Sequence, residues 1–573
     1  MTAVEFYKSF NQSISPINIS DQLIDVNITI SFNIKANGIV LKNCTFKKPV
    51  IFEKIDLNCG IKFIDCTFES TLSINNCSAS NYDNVFNLDG NHIEISNTKI
   101  NGFHFNGNNR IERGVKICDK SVIDFLKITS LYCNKGSFVI YDSTIKTLFD
   151  VSQGNFSGSI EVREQSIIKC KVRFENVTAG SFAFTDSNFE KDVHIWAGKI
   201  GALIFNDGIF YDDLYIKAVP ISGGLTIIGT EYKKSISFTF DDSPAGKFGS
   251  IKTIYIASGK FGEPLNINGS NSQISDVKIN FSKKLEGAIY FNSCNLLSSK
   301  LTGDNYSGNL VFNHCNFNKL SLEFFYNYAT ISIISAKAFD EHSEIEIAHS
   351  NLGKTHFLNM FFNTFEKISV YNSVLTEIIT SNVKWFDHNN LNPKLSPETD
   401  DYTYKREIYR QLKYALEKQG NKIESLKFRS LEISAFKSEL FSKHRYFIKR
   451  IFNNDRFILW LGQTNNFGLN WFKPVLLFLG FSLLFYFLIT IGVSEKLFYS
   501  INLSYSSFKI TFEELGKYFY AYPQLMNPVH AIDRIFSDHV AFSFPVHLFD
   551  FLLKVFLAFF IFQIISAFRK FMK

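Results

Sequence analysis

Two patterns of hydrophobic and polar residues divide the chain. From Ile28 to Val383, short segments alternate apolar and polar side chains and close on a small residue after Asn or Asp, as in LKNCTF from Leu41 and VIYDST from Val139. An alternation with a period of two predicts β-strands. From Ser396 onward, apolar residues recur at helical spacing or form uninterrupted runs. The pattern therefore predicts a mainly β domain followed by helices.

The small residues of the β region recur at a nearly constant interval. Cys44 and Cys66 are 22 residues apart, and Cys294 and Cys315 are 21 apart. A further series advances by 21 to 23 residues at each step and comprises Cys77, Thr98, Ser121, Ser143, Ser166 and Ser187. This period is typical of a parallel β-solenoid, in which strands of successive turns stack about 4.8 Å apart. We align these five cysteines at one repeat position and expect them to fill the core or corners rather than to catalyse.

At these residues the chain resembles bacterial pentapeptide-repeat-like proteins and related right-handed β-helices. The resemblance implies a right-handed parallel β-solenoid over residues 1–395 that serves as a binding surface, although some β-helices are polysaccharide lyases or hydrolases. The candidate carboxylates for such an enzyme are Asp212–Asp213 and Asp241–Asp242, because acid and base work needs paired carboxylates. Their separation of 29 residues is not a whole number of turns, which favours a solvated, non-catalytic face.

Residues 396–470 have the pattern of a helical connector. Apolar residues at Ile408, Leu412 and Ala415 share a helical face, and Gly420 is placed to end one helix before another begins. We predict an α-helical hairpin that caps the last solenoid turn, because an open end would expose a sheet edge. An independent partner-binding helix is the alternative.

The connector resembles that of membrane-anchored pentapeptide-repeat proteins, through the segments YRQLK, EKQGN, ESLKF and LWLGQTNNFGLNWFKP. The matching positions are Tyr409, Arg410, Leu412, Lys413, Gly420 and Phe467–Gly468. In those proteins a two-span, ion-channel-like C-terminal segment follows. The resemblance therefore implies a membrane-anchored protein.

Two apolar runs within residues 471–573 predict transmembrane helices. Pro474–Val493 is uncharged and at 1.5 Å per residue spans about 30 Å, the thickness of the hydrocarbon layer. The second run covers Phe544–Phe568. Basic residues flank both runs: Lys443, Arg445, Lys449, Arg450, Arg456 and Lys473 before the first, and Arg569, Lys570 and Lys573 after the second. Because basic flanks stay in the cytoplasm, we expect a bacterial inner-membrane protein with both termini and the solenoid in the cytosol.

The charge distribution agrees with this organisation. The 573 residues carry a net charge of +6 and have a mean hydropathy of +0.01. Residues 1–395 contain 37 basic and 39 acidic side chains, and residues 396–573 contain 23 and 15. The basic excess thus flanks the apolar runs, which favours contact with membrane lipid and argues against nucleic acid.

The remaining composition argues for a cytosolic solenoid without a cofactor or metal. Nine cysteines form no CxxC pair, which is typical of reduced thiols. The segment Met1–Ser20 lacks a basic region followed by an apolar one, so no signal peptide is expected.

Ionisable residues in the second run are candidates for a mechanism. His547, Asp550 and Lys554 are spaced three and four residues apart and so share a helical face. Charges in a span are costly and usually face protein or water, so this face would line a pore or a partner. Alternatively, Asp550 and Lys554 pair locally and reach the interface. Gln563 is placed to hydrogen-bond between helices or subunits.

The loop between the two runs, Ser494 to Ser543, is expected outside the cell. Phe512, Leu515 and Phe519 lie on one face of an amphipathic helix there, either interfacial or re-entrant.

Three functions remain open. The leading one is a non-enzymatic, membrane-anchored scaffold whose solenoid binds an unidentified protein partner. The second is a channel or membrane-disrupting effector of stress or phage defence, gated through the solenoid. It requires a homo-oligomer, because two helices do not enclose a pore. The third is a carbohydrate-active enzyme.

Overall fold

The computed structural model describes most of the chain in two compact units, Met1–Lys394 and Leu395–Lys573. The described residues are 1–573 except 12–15, 33, 35, 37, 58, 80–90, 197, 218–220, 240–250, 270–272, 393–400, 444–453, 498–504, 537–541 and 569–573. The predicted Asp241–Asp242 pair, the boundary at 395–396 and the basic residues Arg445, Lys449, Arg450, Arg569, Lys570 and Lys573 lie outside these ranges.

The first unit is a parallel β-solenoid of about 15 turns, preceded by helix α1 (Ala3–Asn11). In chain order, β1 to β21 span Ile17–Ser20, Leu23–Ile24, Ile28–Ile30, Gly38–Lys42, Thr45–Phe46, Val50–Glu53, Gly60–Ile64, Thr67–Asn75, Asn91–Ser96, Lys99–Asn106, Asn109–Ile111, Gly114–Cys118, Val122–Ile128, Leu131–Cys133, Phe138–Tyr141, Thr144–Ser152, Asn155–Arg163, Ile167–Ile168, Val172–Glu175, Thr178–Thr185 and Asn188–Phe189. Strands β22 to β42 span Val193–Trp196, Lys199–Asn206, Ile209–Phe210, Leu214–Lys217, Gly224–Ile228, Thr230–Tyr232, Ile236–Thr239, Ile251–Ile256, Gly259–Phe261, Leu265–Asn268, Gln273–Asn280, Leu285–Asn292, Asn295–Asn305, Gly308–Asn313, Asn316–Asn327, Ile331–Ile334, Lys337–Ala338, Glu344–Ala348, Thr355–Leu358, Lys367–Tyr371 and Ile379–Ser381.

Successive turns pair in parallel and in register, so like residues stack on like. In one face β4 pairs with β7, which places Leu41 beside Phe63. In the opposite face β6 pairs with β8, which places Phe52 beside Ile74. The alternate apolar residues point inward and are almost fully buried, as the period of two predicts. The predicted parallel β-solenoid is therefore confirmed.

Phenylalanine fills this narrow core by stacking along the solenoid axis. Phe189 and Phe210 lie 4.6 Å apart with nearly parallel rings, and Tyr232 and Phe261 continue the column at 5.2 and 5.5 Å. Ring spacing of this size matches the strand spacing. The column accounts for part of the excess of Phe in the composition.

The chain turns at corners where one residue adopts the left-handed conformation. Asn and Asp dominate these positions, because their short side chains tolerate positive φ. Members of one corner stack include Asp21, Asn43, Asp65, Asn97, Asp142, Asp186 and Asp207, with φ between 41° and 54°. Their side chains also bond between turns: Asn43 Nδ2 donates to Asp21 Oδ1 at 2.6 Å, and Asn97 Nδ2 donates to Asp65 Oδ1 at 2.7 Å.

The small residue after each corner forms a buried ladder. The Cys66 amide donates to Thr98 Oγ1 at 3.2 Å, and the Thr98 amide donates to Ser121 Oγ at 3.1 Å. The Ser143 amide likewise donates to Ser166 Oγ at 3.3 Å. These hydroxyls satisfy amides that would otherwise be buried without a partner.

One part of the predicted alignment is wrong. The Cys77 amide donates to Asn109 Oδ1, not to Thr98, so Cys77 belongs to a second corner of the same turn. Cys294 and Cys315 also follow that second corner. They come directly before β34 and β36, which pair with each other. The physical reason is that each turn has two corners about half a period apart, and the turn from Cys66 to Thr98 is lengthened to 32 residues.

Helix α1 covers the first turn of the solenoid. Phe6 and Phe10 are buried, and the Phe6 ring lies 6.2 Å from that of Phe46. The Thr29 amide donates to Tyr7 Oη at 2.9 Å. The helix thus shields apolar residues and an amide that an open end would expose.

The second unit is helical. Its helices are α2 (Asp401–Lys418), α3 (Lys422–Lys443), α4 (Asn454–Gln463), α5 (Phe472–Val493), α6 (Tyr505–Lys517), α7 (Ala521–Leu525), α8 (Ile532–Ile535) and α9 (Phe544–Phe568). Helices α5 and α9 are long and apolar enough to cross a membrane, with mean hydropathies of 2.4 and 2.3. They pack through aromatic rings, with Phe481 lying 5.0 Å from Phe556. The two predicted apolar helices are confirmed; that they span a membrane stays a prediction.

The segment between α5 and α9 folds onto α5. Tyr486 Oη donates to the Leu515 carbonyl, and Ser482 and Tyr522 hydroxyls lie 3.2 Å apart. At the end of α5, the Ser494 hydroxyl lowers the pKa of Glu514 by hydrogen bonding at 2.8 Å. These contacts fix α6 and α7 beside α5.

Replacing Ser121 by Ala tests the buried hydroxyl ladder. The change leaves the Thr98 amide without its acceptor, so we expect the free energy of unfolding to fall by about 1–3 kcal/mol. Urea titration of the full chain in detergent, followed by circular dichroism, measures this. Ser157→Ala, on the exposed side of β17, is the control and should change the value by less than about 0.5 kcal/mol. Equal midpoints for the two variants would contradict the ladder.

Candidate functional site

A cluster of three ionisable side chains lies against α9. Asp550 and Lys554 are one turn apart on this helix, and His530 comes from the segment that precedes α8. Asp550 Oδ1 lies 2.5 Å from His530 Nε2, and Lys554 Nζ donates to Asp550 Oδ2 at 2.7 Å. The His530 and Asp550 side chains are only 3% and 9% exposed, whereas that of Lys554 is 31% exposed. We name these three residues the ionic cluster.

Hydrogen bonding holds the ionic cluster together. His530 Nδ1 lies 2.6 Å from the Asn527 carbonyl oxygen, which only accepts, so this nitrogen donates. Asp550 has one nitrogen partner on each carboxylate oxygen, His530 Nε2 on Oδ1 and Lys554 Nζ on Oδ2. Asp550 is therefore the member that joins the other two.

The surroundings of the ionic cluster are apolar. Val546 and Leu553 flank Asp550 on α9 and are fully buried, and Ile532 and Ile535 of α8 belong to the same hydrophobic cluster. Charges in such surroundings attract strongly and are costly if one partner is lost. Asp550 therefore ties the segment before α8 to α9.

The structure does not bring together all the residues that the sequence singles out. His547 is exposed and stacks edge-on against Phe542 at 5.9 Å, away from Asp550. His530 occupies the position beside Asp550 that the sequence predicted for His547. Gln563 is buried, and its backbone carbonyl accepts a hydrogen bond from Asn465 Nδ2 at 3.2 Å. Asp550 and Lys554 form the predicted local pair.

The connector residues hold α2 against α3. Tyr409 and Leu412 are buried, and the Tyr409 ring lies 6.1 Å from Phe428. Lys413 Nζ donates to Glu432 Oε2 at 2.8 Å, and Arg410 pairs with Glu407 on its own helix. Gly420 turns the chain between the helices with φ of 76°. A second turn, at Phe467 and Gly468, precedes α5 with φ of 54° and 89°.

The carboxylates Asp212 and Asp213, candidates for the enzyme alternative, bond within the solenoid. Lys234 Nζ donates to Asp212 Oδ1 at 2.7 Å and lowers the pKa of this carboxyl. Asp213 accepts from the Ser235 amide and hydroxyl in the next turn, at 3.1 and 2.8 Å. Both residues therefore bond between neighbouring turns.

The cysteines are buried thiols. All nine are free and buried. Burial raises the pKa of the Cys59 and Cys170 thiols to about 12, so both stay protonated at neutral pH. Within the described ranges, no group of three His, Cys, Asp or Glu side chains is arranged to hold a metal ion.

An exposed aromatic patch on the solenoid is missed by the sequence analysis. We define it as Tyr306, Phe324, Tyr326 and Tyr328, which expose 69%, 61%, 39% and 60% of their surfaces. Phe324 and Tyr326 alternate outward in β36 and Tyr328 directly follows this strand, where it stacks on Tyr306 of the neighbouring turn at 4.9 Å. The signal was the segment FFYNY, in which aromatic residues occupy outward positions that are polar in most other turns.

Phe324 is held in an unusual backbone conformation. It is the extra residue of a bulge, since Leu301 and Gly303 pair with Leu322 and Phe325. Its φ is 49°, which is rare and strained for a bulky side chain. The ring stacks on His349 at 4.9 Å yet remains largely in solvent. Bulges re-aim side chains, and here the bulge directs an aromatic ring outward.

No known protein family, curated protein or solved structure matches this chain. The resemblance to pentapeptide-repeat proteins and to ion-channel-like segments therefore stays a prediction, and the fold rests on the strand pairing itself.

Asp550→Asn tests the ionic cluster. The buried His530 and the partly exposed Lys554 lose the carboxylate that binds them both, so we expect the free energy of unfolding to fall by about 3 kcal/mol, the lower end for a buried pair because Lys554 is partly solvated. The thermal midpoint of the full chain in detergent should fall clearly. His547→Gln, on the same helix but exposed, should leave the midpoint unchanged. If the two variants have the same thermal midpoint, the ionic cluster does not stabilise this unit.

Proposed function

We propose that this chain is a non-enzymatic, membrane-anchored protein whose β-solenoid binds a protein partner through the aromatic patch. The single observation that carries the proposal is the patch itself, with a strained Phe324 at its centre. Exposed aromatic clusters mark interaction sites, because they bury large apolar areas on binding. The ring of Phe324 stays 61% exposed although its backbone is strained, which points to selection for contact with something else.

Helices α5 and α9 support the anchoring. Each has a stripe of exposed apolar residues at helical spacing, comprising Leu476, Leu479, Leu483 and Phe487 in α5 and Phe551, Val555, Phe562 and Ile565 in α9. Such stripes are unfavourable in water and favourable in lipid. At 1.5 Å per residue the helices are about 33 and 38 Å long, enough to cross the hydrocarbon layer.

The proposed orientation follows from the basic flanks. Lys473 at the start of α5 and the basic residues beyond α9 support a cytoplasmic position for both ends of the membrane domain in a bacterial cell. The solenoid then lies in the cytosol, which suits nine free thiols.

A second candidate function is an oligomeric channel or membrane-disrupting effector. Lys554 favours it, because this side chain is 31% exposed within a proposed span, where ionisable side chains usually line water or a subunit contact. The carbohydrate-active alternative lacks such support, because Asp212 and Asp213 bond to Lys234 and Ser235.

Phe324→Asn tests the partner surface. Asn tolerates positive φ, so the thermal midpoint of the full chain should stay the same or rise while the exposed ring is lost. Cross-linking of the tagged full chain in native membranes should then no longer recover the partner found with the wild type. Tyr211→Asn, which removes an exposed aromatic ring away from the patch, should preserve recovery. A partner recovered equally with both variants would contradict the proposal.

Electrical recording tests the channel. If the second candidate is correct, the full chain in planar bilayers conducts ions, and Asp550→Asn changes the current because it removes the negative charge beside Lys554. His547→Gln serves as the control. A chain that is silent in every oligomeric state recovered from membranes would contradict a conducting role.

A further inference from the structure

A groove of about 650 Å³ lies between α2, α3 and α4, and we name it the connector groove. Its walls carry four basic side chains, Arg406, Arg410, Lys413 and Arg429. Its apolar lining comes from Ile433, Phe436, Ile458 and Leu459. A basic rim beside an apolar lining matches a ligand that has an anionic end and a hydrocarbon end.

The acidic residues of the groove leave positive charge uncompensated. Glu407 and Glu432 also line it, and they pair with Arg410 and Lys413. Arg406 pairs with the buried Glu439 at 2.7 Å, so the excess positive charge of the groove comes from Arg429. Among the described residues, no carboxylate forms an ion pair with Arg429, whose side chain is exposed.

Arg410 of α2 and Arg429 of α3 both line the groove, and both side chains are exposed. Guanidinium groups bind phosphate through paired hydrogen bonds, which makes this position suited to a phosphate group.

The groove adjoins the ends of the two apolar helices. Its far end is formed by Gly462 and Phe467, a few residues before α5 begins. In the same turn, Asn465 binds the Gln563 carbonyl near the end of α9. Trp471 and Phe568 stack there at 5.4 Å, and aromatic residues of this kind lie at the level of lipid headgroups.

We propose that the connector groove binds one anionic phospholipid, with its phosphate at Arg410 and Arg429 and an acyl chain along Ile433, Ile458 and Leu459. Ile458 exposes 64% of its surface, which an acyl chain would cover. Charge complementarity and the position at the headgroup level select this occupant over a soluble anion. The inference rests on the proposed membrane anchoring, but not on the solenoid partner.

Native mass spectrometry of the full chain in detergent tests the site, with phosphatidylglycerol, phosphatidylcholine and glycerol phosphate as probes. The wild type should retain one phosphatidylglycerol and far less phosphatidylcholine. The double variant Arg410→Gln/Arg429→Gln removes two charged hydrogen-bond donors, so retention should weaken at least about tenfold. Lys418→Gln/Lys422→Gln makes the same change in charge at the ends of α2 and α3 and should bind as the wild type does.

A second variant separates lipid from free phosphate. Ile458→Gln should weaken binding of phosphatidylglycerol, because it removes the acyl contact while keeping all four cations. If glycerol phosphate competes for the groove as strongly as phosphatidylglycerol does, the proposal is overturned. It is also overturned if the Arg410→Gln/Arg429→Gln variant and its control retain the same amount of phosphatidylglycerol. Flotation with phosphatidylcholine vesicles tests the membrane anchoring separately from the connector groove. All variants should float with the vesicles, and a chain that does not float would contradict the anchoring rather than the lipid site.

Discussion

The solenoid depends on the superposition of its corners. Each turn must repeat the backbone of the previous one, so that the amides at a corner meet carbonyls of the next turn. Asn43 donates its amide to the Ile64 carbonyl, and Asp65 repeats this with Ser96. Because the corner residue has positive φ, Asn, Asp and Gly are favoured there, and the residue that follows must be small enough to be enclosed. The composition of the first unit follows from this single requirement.

The same requirement makes exceptions visible. Where a position with positive φ holds Phe324 instead of Asn, the sequence departs from what the fold favours, and the ring, although it stacks on His349, gains little burial in return. A residue that strains its own turn and stays largely in solvent is better explained by a contact outside the chain. The backbone conformation of Phe324 therefore identifies the aromatic patch more specifically than exposure alone.

Repetition also explains which predictions succeeded. The solenoid could be predicted from the period of the small residues, and the two long helices from the apolar runs, because each signal extends over many residues. The assignment of Cys77 failed, since two equivalent corners about half a turn apart give the same local pattern. The pairing of His530 with Asp550 could not be read either. These residues are separated by 20 positions, and only the fold of the intervening segment brings them together. His547 has the spacing on α9 that would place it near Asp550, but its side chain is exposed and lies against Phe542.

Polar contacts fix both ends of α9, and together they explain how an apolar helix is oriented. Near its start, Asp550 is bound to His530; near its end, the Gln563 carbonyl is bound to Asn465. These residues are 13 positions apart, or about 20 Å along the helix. Between them only Lys554 is charged, so apolar packing alone would let the helix slide or rotate against α5. Hydrogen bonds at two levels remove both freedoms, because each has a defined direction. A change at the connector groove, which adjoins Asn465, therefore reaches α9 through a direct hydrogen bond.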